Sequence, residues 1–494
     1  MNNNHPLISK SSYLSGLQCH KFLWYKFNAK NEIPEYDAGT QAIFDQGHLV
    51  GEYAKKMFPD GIEINTEYYE IEKTIEESQR ALALRKPIFE AGFRYKDAFS
   101  RPDILNPVGN DAWDIIEVKS STEVKDVNLN DLAVQWYIYE GSGLRIHSCS
   151  ICHINNKYVR MGEIEPRKLF AIEDVTAKVK ILLPDVENDL KQMQKTISLL
   201  KCPEIKIGPH CDVPYECPLK EKCWAFLPAH NIFTLASIQT KKCSTLLDQS
   251  ITAIDKLPSD FHLSEKQKIQ VKVVTTGKTH VDKEGICDFL KCLQYPLYYL
   301  DFETLGTAIP SYDLSKPYQQ VPFQYSLHVV NSPNAKPEHH EFLADDTKDP
   351  RPEILKNLKQ LLGDKGSIVA YFAGFEKARL KECIEAYPEY EGWYKAILVR
   401  FIDLYSPFGN FSYYHPDQLG SASLKAVLPA LTGKGYESME IKEGGSASRE
   451  FMRVTFGDVD MFERQHVRDE LLKYCGLDTM AMVWIVDKLK EIAS

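Results

Sequence analysis

Apolar positions along the chain recur with two periods. Across residues 41–58, Ile43, Gly47, Val50, Ala54 and Phe58 fall at steps of three or four, which predicts a helix with one buried stripe. A second helical stretch covers roughly 68–86. From 88 to 119 the pattern shifts to strands, FEAGFRYKDAFSRPDIL and then WDIIEVK, with the polar turn NPVGND between them. Helical signals return near 130–140 and 172–200, and a cysteine-rich loop follows at 202–223. A fresh alternation of strand and helix opens at PLYYLDFET (296–304). It runs through SIVAYFAGFEKARL and LVRFIDLY and closes with the helix DELLKYCGLDTMAMVWIVDKL. The pattern predicts an α/β chain: an N-terminal domain over 1–225, a mainly helical connector over 226–295, and a C-terminal domain over 296–494.

A chain of 494 residues, 44 % hydrophobic and 26 % charged, has room for separate cores without disulfides. No run approaches the ~18 apolar residues of a membrane helix, so no membrane partner is expected. The opening MNNNHPLISKSSYLSG lacks the apolar stretch of a secretory leader, so cytoplasmic placement is expected. The net charge of −10 argues against a general nucleic-acid coat protein, which would be basic. It leaves room for a nuclease, whose metal-binding acids count as negative until cations arrive. In a reducing compartment, clustered cysteines among the twelve present point to a metal site rather than to disulfides.

Three constellations carry chemistry. In the first, Asp103 closes a predicted strand, and Glu117 and Lys119 lie two apart on the next, on one face. Two carboxylates can hold a divalent cation through hard oxygen ligands. A neighbouring lysine can orient water or stabilise developing negative charge. His48 stands at the edge of the 41–58 stripe, and Gln135 and Tyr139 are four apart on one helix face. The order His, Asp, Glu-x-Lys, Gln-x-x-x-Tyr, in the segments RPD, EVK and QWYIY, resembles the RecB-like branch of the PD-(D/E)XK nuclease superfamily. That resemblance implies a restriction-endonuclease-like fold with Mg²⁺ or Mn²⁺ on His48, Asp103 and Glu117. It also implies a catalytic Lys119, with Gln135 and Tyr139 contacting DNA or ordering the site.

In the second, Cys211, Cys217 and Cys223 are evenly spaced in CDVPYECPLKEKC, and Cys19 lies far upstream. Such a triplet reads as thiolate ligands or as buried free cysteine. The spacing is not that of zinc ribbons. One cysteine before the nuclease core and three after it resembles the iron–sulfur nucleases of the RecB-like branch. The resemblance implies a 4Fe–4S cluster on Cys19, Cys211, Cys217 and Cys223 that clamps the domain. Cys202 competes for one position. Cys149, Cys152, Cys243, Cys287, Cys292, Cys383 and Cys475 read as structural.

In the third, Asp301 and Glu303 share a strand face in YYLDFET, and Tyr474 and Asp478 share a helix face near the C-terminus. Glu376 stands between them at a strand-to-helix junction. Carboxylates gathered from distant segments suit a two-metal site. Together they resemble the tyrosine subtype of the DEDD exonucleases, of ribonuclease H-like fold, in which Tyr474 would position the water. The second motif departs from that family: Phe372 stands near the asparagine position and Glu376 replaces the aspartate, with Asp403 as the other candidate. With EVKSSTEVK and GSASLKAVLPALTG, the chain resembles a bacterial family of uncharacterised proteins that joins these two nuclease types. The implied function is a metal-dependent nuclease with two catalytic modules, the second a 3′–5′ exonuclease, acting on DNA in preference to RNA. The competing readings are a nucleic-acid-binding scaffold with a lapsed C-terminal site and an iron–sulfur electron-transfer protein. The latter leaves both carboxylate sets unexplained.

Overall fold

The structure, a computed structural model, describes residues 6–494. The polar start of the chain, read above for the lack of a leader, begins in residues 1–5, outside the described residues. The fold is mixed α/β in two compact units. The first runs through Ala225 and includes 307–311 and 316–318; the second holds the remainder. No described helix is long and apolar enough to cross a membrane.

The first unit is built on a six-stranded mixed sheet. Its order is Ile62–Glu63, Ile88–Phe89, Ile104–Val108, Ala112–Lys119, Arg145–Ile154 and Phe170–Asp174. The strand Ala112–Lys119 is interior: it runs antiparallel to Ile104–Val108 and parallel to Arg145–Ile154. A parallel pair needs a crossover, and the helix Asp126–Gly141 supplies it. That helix is buried nearly all round, so it shows little amphipathic contrast. Cys149 and Cys152 are buried in the Arg145–Ile154 strand, three apart and so on opposite faces, in separate apolar clusters. A three-stranded sheet pairs Ile8–Ser9 with Ala98–Ser100, and the latter with Phe93–Tyr95.

The 41–58 pattern becomes the helix Ala38–Lys55, capped by Asp37, whose carboxylate accepts from Thr40 N at 2.6 Å. Its expected stripe is buried only in the second half. Val50 and Ala54 pack on Ile104 and Ile116, whereas Ile43 is 67 % exposed. Periodicity marks which positions share a face, but the sheet beneath lies under the last turns alone. The 172–200 stretch likewise begins as an edge strand and turns into the helix Thr176–Ile197.

The second unit centres on a five-stranded sheet. Its order is Glu338–Leu343, Val321–Val330, Leu297–Leu305, Ser367–Ala370 and Phe401–Asp403. The first two pairings are antiparallel and the last two parallel. The helix Met461–Ala493 buries Val467, Leu471, Tyr474, Cys475, Asp478, Met482, Ile485 and Leu489 at helical spacing. Residues 226–295 group with this unit and are largely helical, as Thr240–Asp248, Glu265–Thr276 and Lys283–Lys291. Arg351 is fully buried at the head of the helix Arg351–Leu361. It forks onto Asp349 at 2.9 and 2.7 Å and donates to the Asp313 carbonyl at 2.6 Å. Arg351→Met leaves the half-buried Asp349 carboxylate without its guanidinium and should cost ~2–3 kcal/mol, read as a lower urea midpoint at unchanged slope.

Candidate metal and catalytic sites

The first constellation assembles on the interior strand of the first unit. Asp103, just before the Ile104–Val108 strand, accepts from Val118 N at 2.6 Å and so stands beside Glu117. Glu117 is 1 % exposed. Its Oε1 accepts from Lys119 at 2.7 Å and from Lys10 at 2.6 Å, and its Oε2 accepts from Gln135 at 2.8 Å. Lys119 also donates to Asp131 Oδ2 at 2.8 Å. Gln135 spends its second amide proton on Asp131 Oδ1 at 2.9 Å, and its oxygen accepts from the Tyr139 hydroxyl at 3.1 Å. Gln135 and Tyr139 are thus fully buried and order the carboxylates from below. His48 is exposed on its helix; among the described residues it makes no hydrogen bond or ion pair with Asp103, Glu117 or Lys119.

Charge compensation sets the electrostatics here. Burial and the nearby Asp103 push the Glu117 carboxyl up, but Lys10 and Lys119 outweigh them and hold it below the usual range. Burial works against the Lys119 charge; Asp131 and Glu117 more than offset it, so the ammonium persists. Burial and Asp103 push half-buried Glu90 up to about 7. Lys10, Asp131 and Glu90 escaped the sequence reading. Asp131 had a usable signal, being four residues before Gln135 on the same helix face. Lys10 had none, lying 107 residues from Glu117.

The four predicted cysteine ligands line one small cavity of the first unit. Cys19 ends the helix Lys10–Gln18 and heads the helix His20–Asn28. Cys217 N donates to the Cys211 carbonyl at 2.8 Å, which folds the loop back on itself, and Cys223 sits on the short helix Lys220–Trp224. Burial pushes the Cys217 thiol up to about 11 and raises that of Cys19. Lys21, Lys206 and Lys220 border the same cavity. Cys202 packs on the adjoining apolar cluster without lining the cavity.

The third constellation converges most completely. Asp301, Glu303, Glu376, Tyr474 and Asp478 all line one cavity of about 600 Å³ in the second unit. The central strand presents Asp301 and Glu303, the first turn of the helix Gly374–Ala386 presents Glu376, and the long C-terminal helix presents Tyr474 and Asp478. Burial pushes the carboxyl of Asp478 up to about 6. It pushes those of Asp301, Glu303 and Glu376 up as well, reinforced by repulsion from Asp301 or Asp478. Glu376 Oε2 is buried with no hydrogen-bond partner. Ligand atoms of Asp301, Glu303 and Cys475 lie within 4.8 Å of one another.

Tyr436, from the loop before the helix Gly444–Phe456, donates to Asp478 Oδ1, and the Lys425 ammonium lies over the Tyr474 ring at 5.3 Å. Neither was read from the sequence. Asp403 does not line the cavity; it accepts from Phe372 N and Tyr405 N, both at 3.0 Å, and so fixes the loop carrying Phe372. Phe372 has φ +65°, an uncommon conformation for a bulky side chain, and its half-exposed ring stacks on Tyr405 at 4.2 Å.

Residues 298–423 match the family model of a domain of unknown function, DUF2779. That span holds Asp301, Glu303, Glu376 and Asp403 and stops before Tyr474. An uncharacterised protein of Mycoplasma pneumoniae, the MG366 homolog, is 27 % identical over 213 residues, covering 39 % of this chain. The uncharacterised protein MG366 of Mycoplasma genitalium is 28 % identical over 216 residues, again 39 % of this chain. The chain spans 32 % of the length of each of these curated relatives. The similarities tie part of the chain to an uncharacterised family defined by a domain of unknown function.

Proposed function

We propose that the protein is a metal-dependent nuclease with two catalytic modules: a RecB-like PD-(D/E)XK site in the first unit and a DEDD-type 3′–5′ exonuclease site of ribonuclease H-like fold in the second. The observation that carries this reading is the gathering of Asp301, Glu303, Glu376, Tyr474 and Asp478, from three distant segments, around one cavity. Three buried acids, Glu303, Glu376 and Asp478, grouped with half-buried Asp301 are costly unless cations compensate them. The Asp301 and Glu303 oxygens within 4.8 Å of each other suit a divalent cation of the Mg²⁺ or Mn²⁺ type, whereas the neighbouring Cys475 thiol, kept protonated by burial, is no ligand for so hard an ion. When bound, such cations polarise the scissile phosphate and acidify water. Asp301, Glu303, Glu376 and Asp478 would hold them. Tyr474 would orient the water, its ring braced by Lys425 and its partner Asp478 fixed by Tyr436. The half-exposed Phe372 ring, which lines the cavity and stacks on Tyr405, suits an unpaired base, because base–aromatic stacking tolerates any sequence.

In the first unit, Asp103 and Glu117 would hold the cation, and Lys119, kept charged, would face the reacting phosphate. The cysteine cradle fits a 4Fe–4S cluster better than zinc. Among the described residues no three of its sulfurs lie within 4.8 Å of one another, whereas a tetrahedral zinc site needs edges of about 3.8 Å. The bordering lysines suit an anionic cluster.

The test uses labelled single- and double-stranded DNA and RNA with Mg²⁺ or Mn²⁺. Glu117→Gln should abolish one cleavage activity and Asp301→Asn the other. Cleavage indifferent to both substitutions would sink the two-site reading. An anaerobic preparation should be brown with iron–sulfur charge-transfer absorbance; a colourless protein with stoichiometric zinc would remove the cluster.

A further inference from the structure

The helix Lys10–Gln18 touches both sites of the first unit. At its start, Lys10 donates to Glu117 Oε1 at 2.6 Å and pairs with Asp131 Oδ1 at 3.8 Å. At its end stands Cys19, and Gln18 Nε2 donates to the carbonyls of His210 and Tyr215, at 2.9 and 2.7 Å, in the cysteine loop. The helix is held tightly between. Tyr13 donates to Asp189 at 3.1 Å, and Gly16 lies so close to Met193 that a Cβ there would meet its sulfur at 2.7 Å. Nine residues at 1.5 Å each make a rod of roughly 13 Å. The strand Ile8–Ser9 before it is paired with Ala98–Ser100.

Lys10 also changes the charge balance of the acids. Asp103, Glu117 and Asp131 face Lys119 and Lys10, with Glu90 beside them and Arg101 on Glu90 at 3.3 Å. Glu117 Oε1 already receives two ammonium groups and Oε2 an amide proton. The second site differs: among the described residues it alone brings three potential ligating atoms within 4.8 Å of one another, and Lys425 acts on its acids at longer range.

We propose that Lys10 is a positioning residue that holds Glu117 and limits how tightly the first site binds a divalent cation, and that the helix tied to the cysteine loop sets its place. This rests on reading Asp103 and Glu117 as a cation site, and the test separates the two claims. Removing a unit positive charge within hydrogen-bond reach of a metal ligand strengthens attraction for a cation. Loss of a merely structural contact would scatter the ligands and weaken it.

Mn²⁺ binding to the full chain, followed by the loss of the free-ion electron paramagnetic resonance signal in an Asp301→Asn, Asp478→Asn background, reads this directly. Glu117→Gln should remove a Mn²⁺ site; if it does not, the cation-site reading of Asp103 and Glu117 falls. Lys10→Met should tighten Mn²⁺ binding at least tenfold, and Lys10→Arg should keep the wild-type affinity. Gln18→Leu, at the far end of the rod, should tighten it in the same direction by a smaller factor. Unchanged or weakened binding in Lys10→Met, with the Glu117 site present, overturns the role of Lys10. Unchanged binding in Gln18→Leu overturns the role of the helix.

Discussion

Glu376→Gln should lower hydrolysis at the second site by about a thousandfold or more and leave cleavage by the first site intact. The substitution keeps the shape of the side chain and removes only its charge. Glu376 is 2 % exposed, lines the cavity that Asp301 and Asp478 share, and has one buried carboxylate oxygen without a hydrogen-bond partner. If that oxygen holds a cation, its loss forfeits several kcal/mol of transition-state charge stabilisation. At 1.36 kcal/mol per decade, ~4 kcal/mol is about a thousandfold.

Glu376→Asp separates the active enzyme from the scaffold reading. Shortening the arm draws the carboxylate back by roughly 1 Å, and a misplacement of that size costs about a hundredfold. A working site built around Glu376 therefore loses activity with aspartate. A gain of activity would mean that glutamate at this position marks a lapsed site, and the protein would then bind nucleic acid there without cutting it. Single-turnover cleavage of a 3′-labelled oligonucleotide distinguishes the two.

What the sequence made legible follows from period and chemistry. Asp301 and Glu303 alternate on an otherwise apolar strand, and Tyr474 and Asp478 are one helical turn apart. Each pair's shared face follows from local geometry alone. The α/β alternation is equally local. What escaped depends on long-range packing. Lys10 reaches Glu117 only because a short strand and a rigid helix carry it across the first unit. Tyr436 reaches Asp478 from a loop with no regular period. Cys475, read as structural, is buried as such a residue should be, yet its sulfur lies 3.7 Å from Asp301 Oδ2. Ile43 shows the converse error. It has the right period for burial and no sheet beneath it.

Without divalent cations the second unit should be more stable at pH 5 than at pH 8, and Mn²⁺ should offset most of the difference. The folded carboxyl of Asp478 is raised by burial to about 6, from 3.8 in the ordinary case. A raised acid binds more protons folded than unfolded between those two values, so stability falls as pH rises through them. Of that rise only the last unit, from pH 5 to 6, falls within the window, so at 1.36 kcal/mol per unit Asp478 alone contributes about 1 kcal/mol. Asp301, Glu303 and Glu376 are raised in the same direction and add to that loss. Glu117 has the opposite sign. Lys10 and Lys119 hold its carboxyl low, so the stability it contributes is present at neutral pH and is lost on acidification. In the first unit the two signs oppose each other, because Glu90, pushed up to about 7, adds an alkaline loss of its own. A cation competes with protons for the same oxygens, so its binding tightens as pH rises. At a hundred times its Kd it adds about 2.7 kcal/mol. Thermal melts from pH 5 to 8 in chelator, then in Mn²⁺, measure both effects. Asp301→Asn should flatten the chelator series, because it removes the charge that Glu303 and Glu376 both repel. Stability that rises from pH 5 to 8 in chelator would mean that the four acids do not bear the unpaired charge their burial implies.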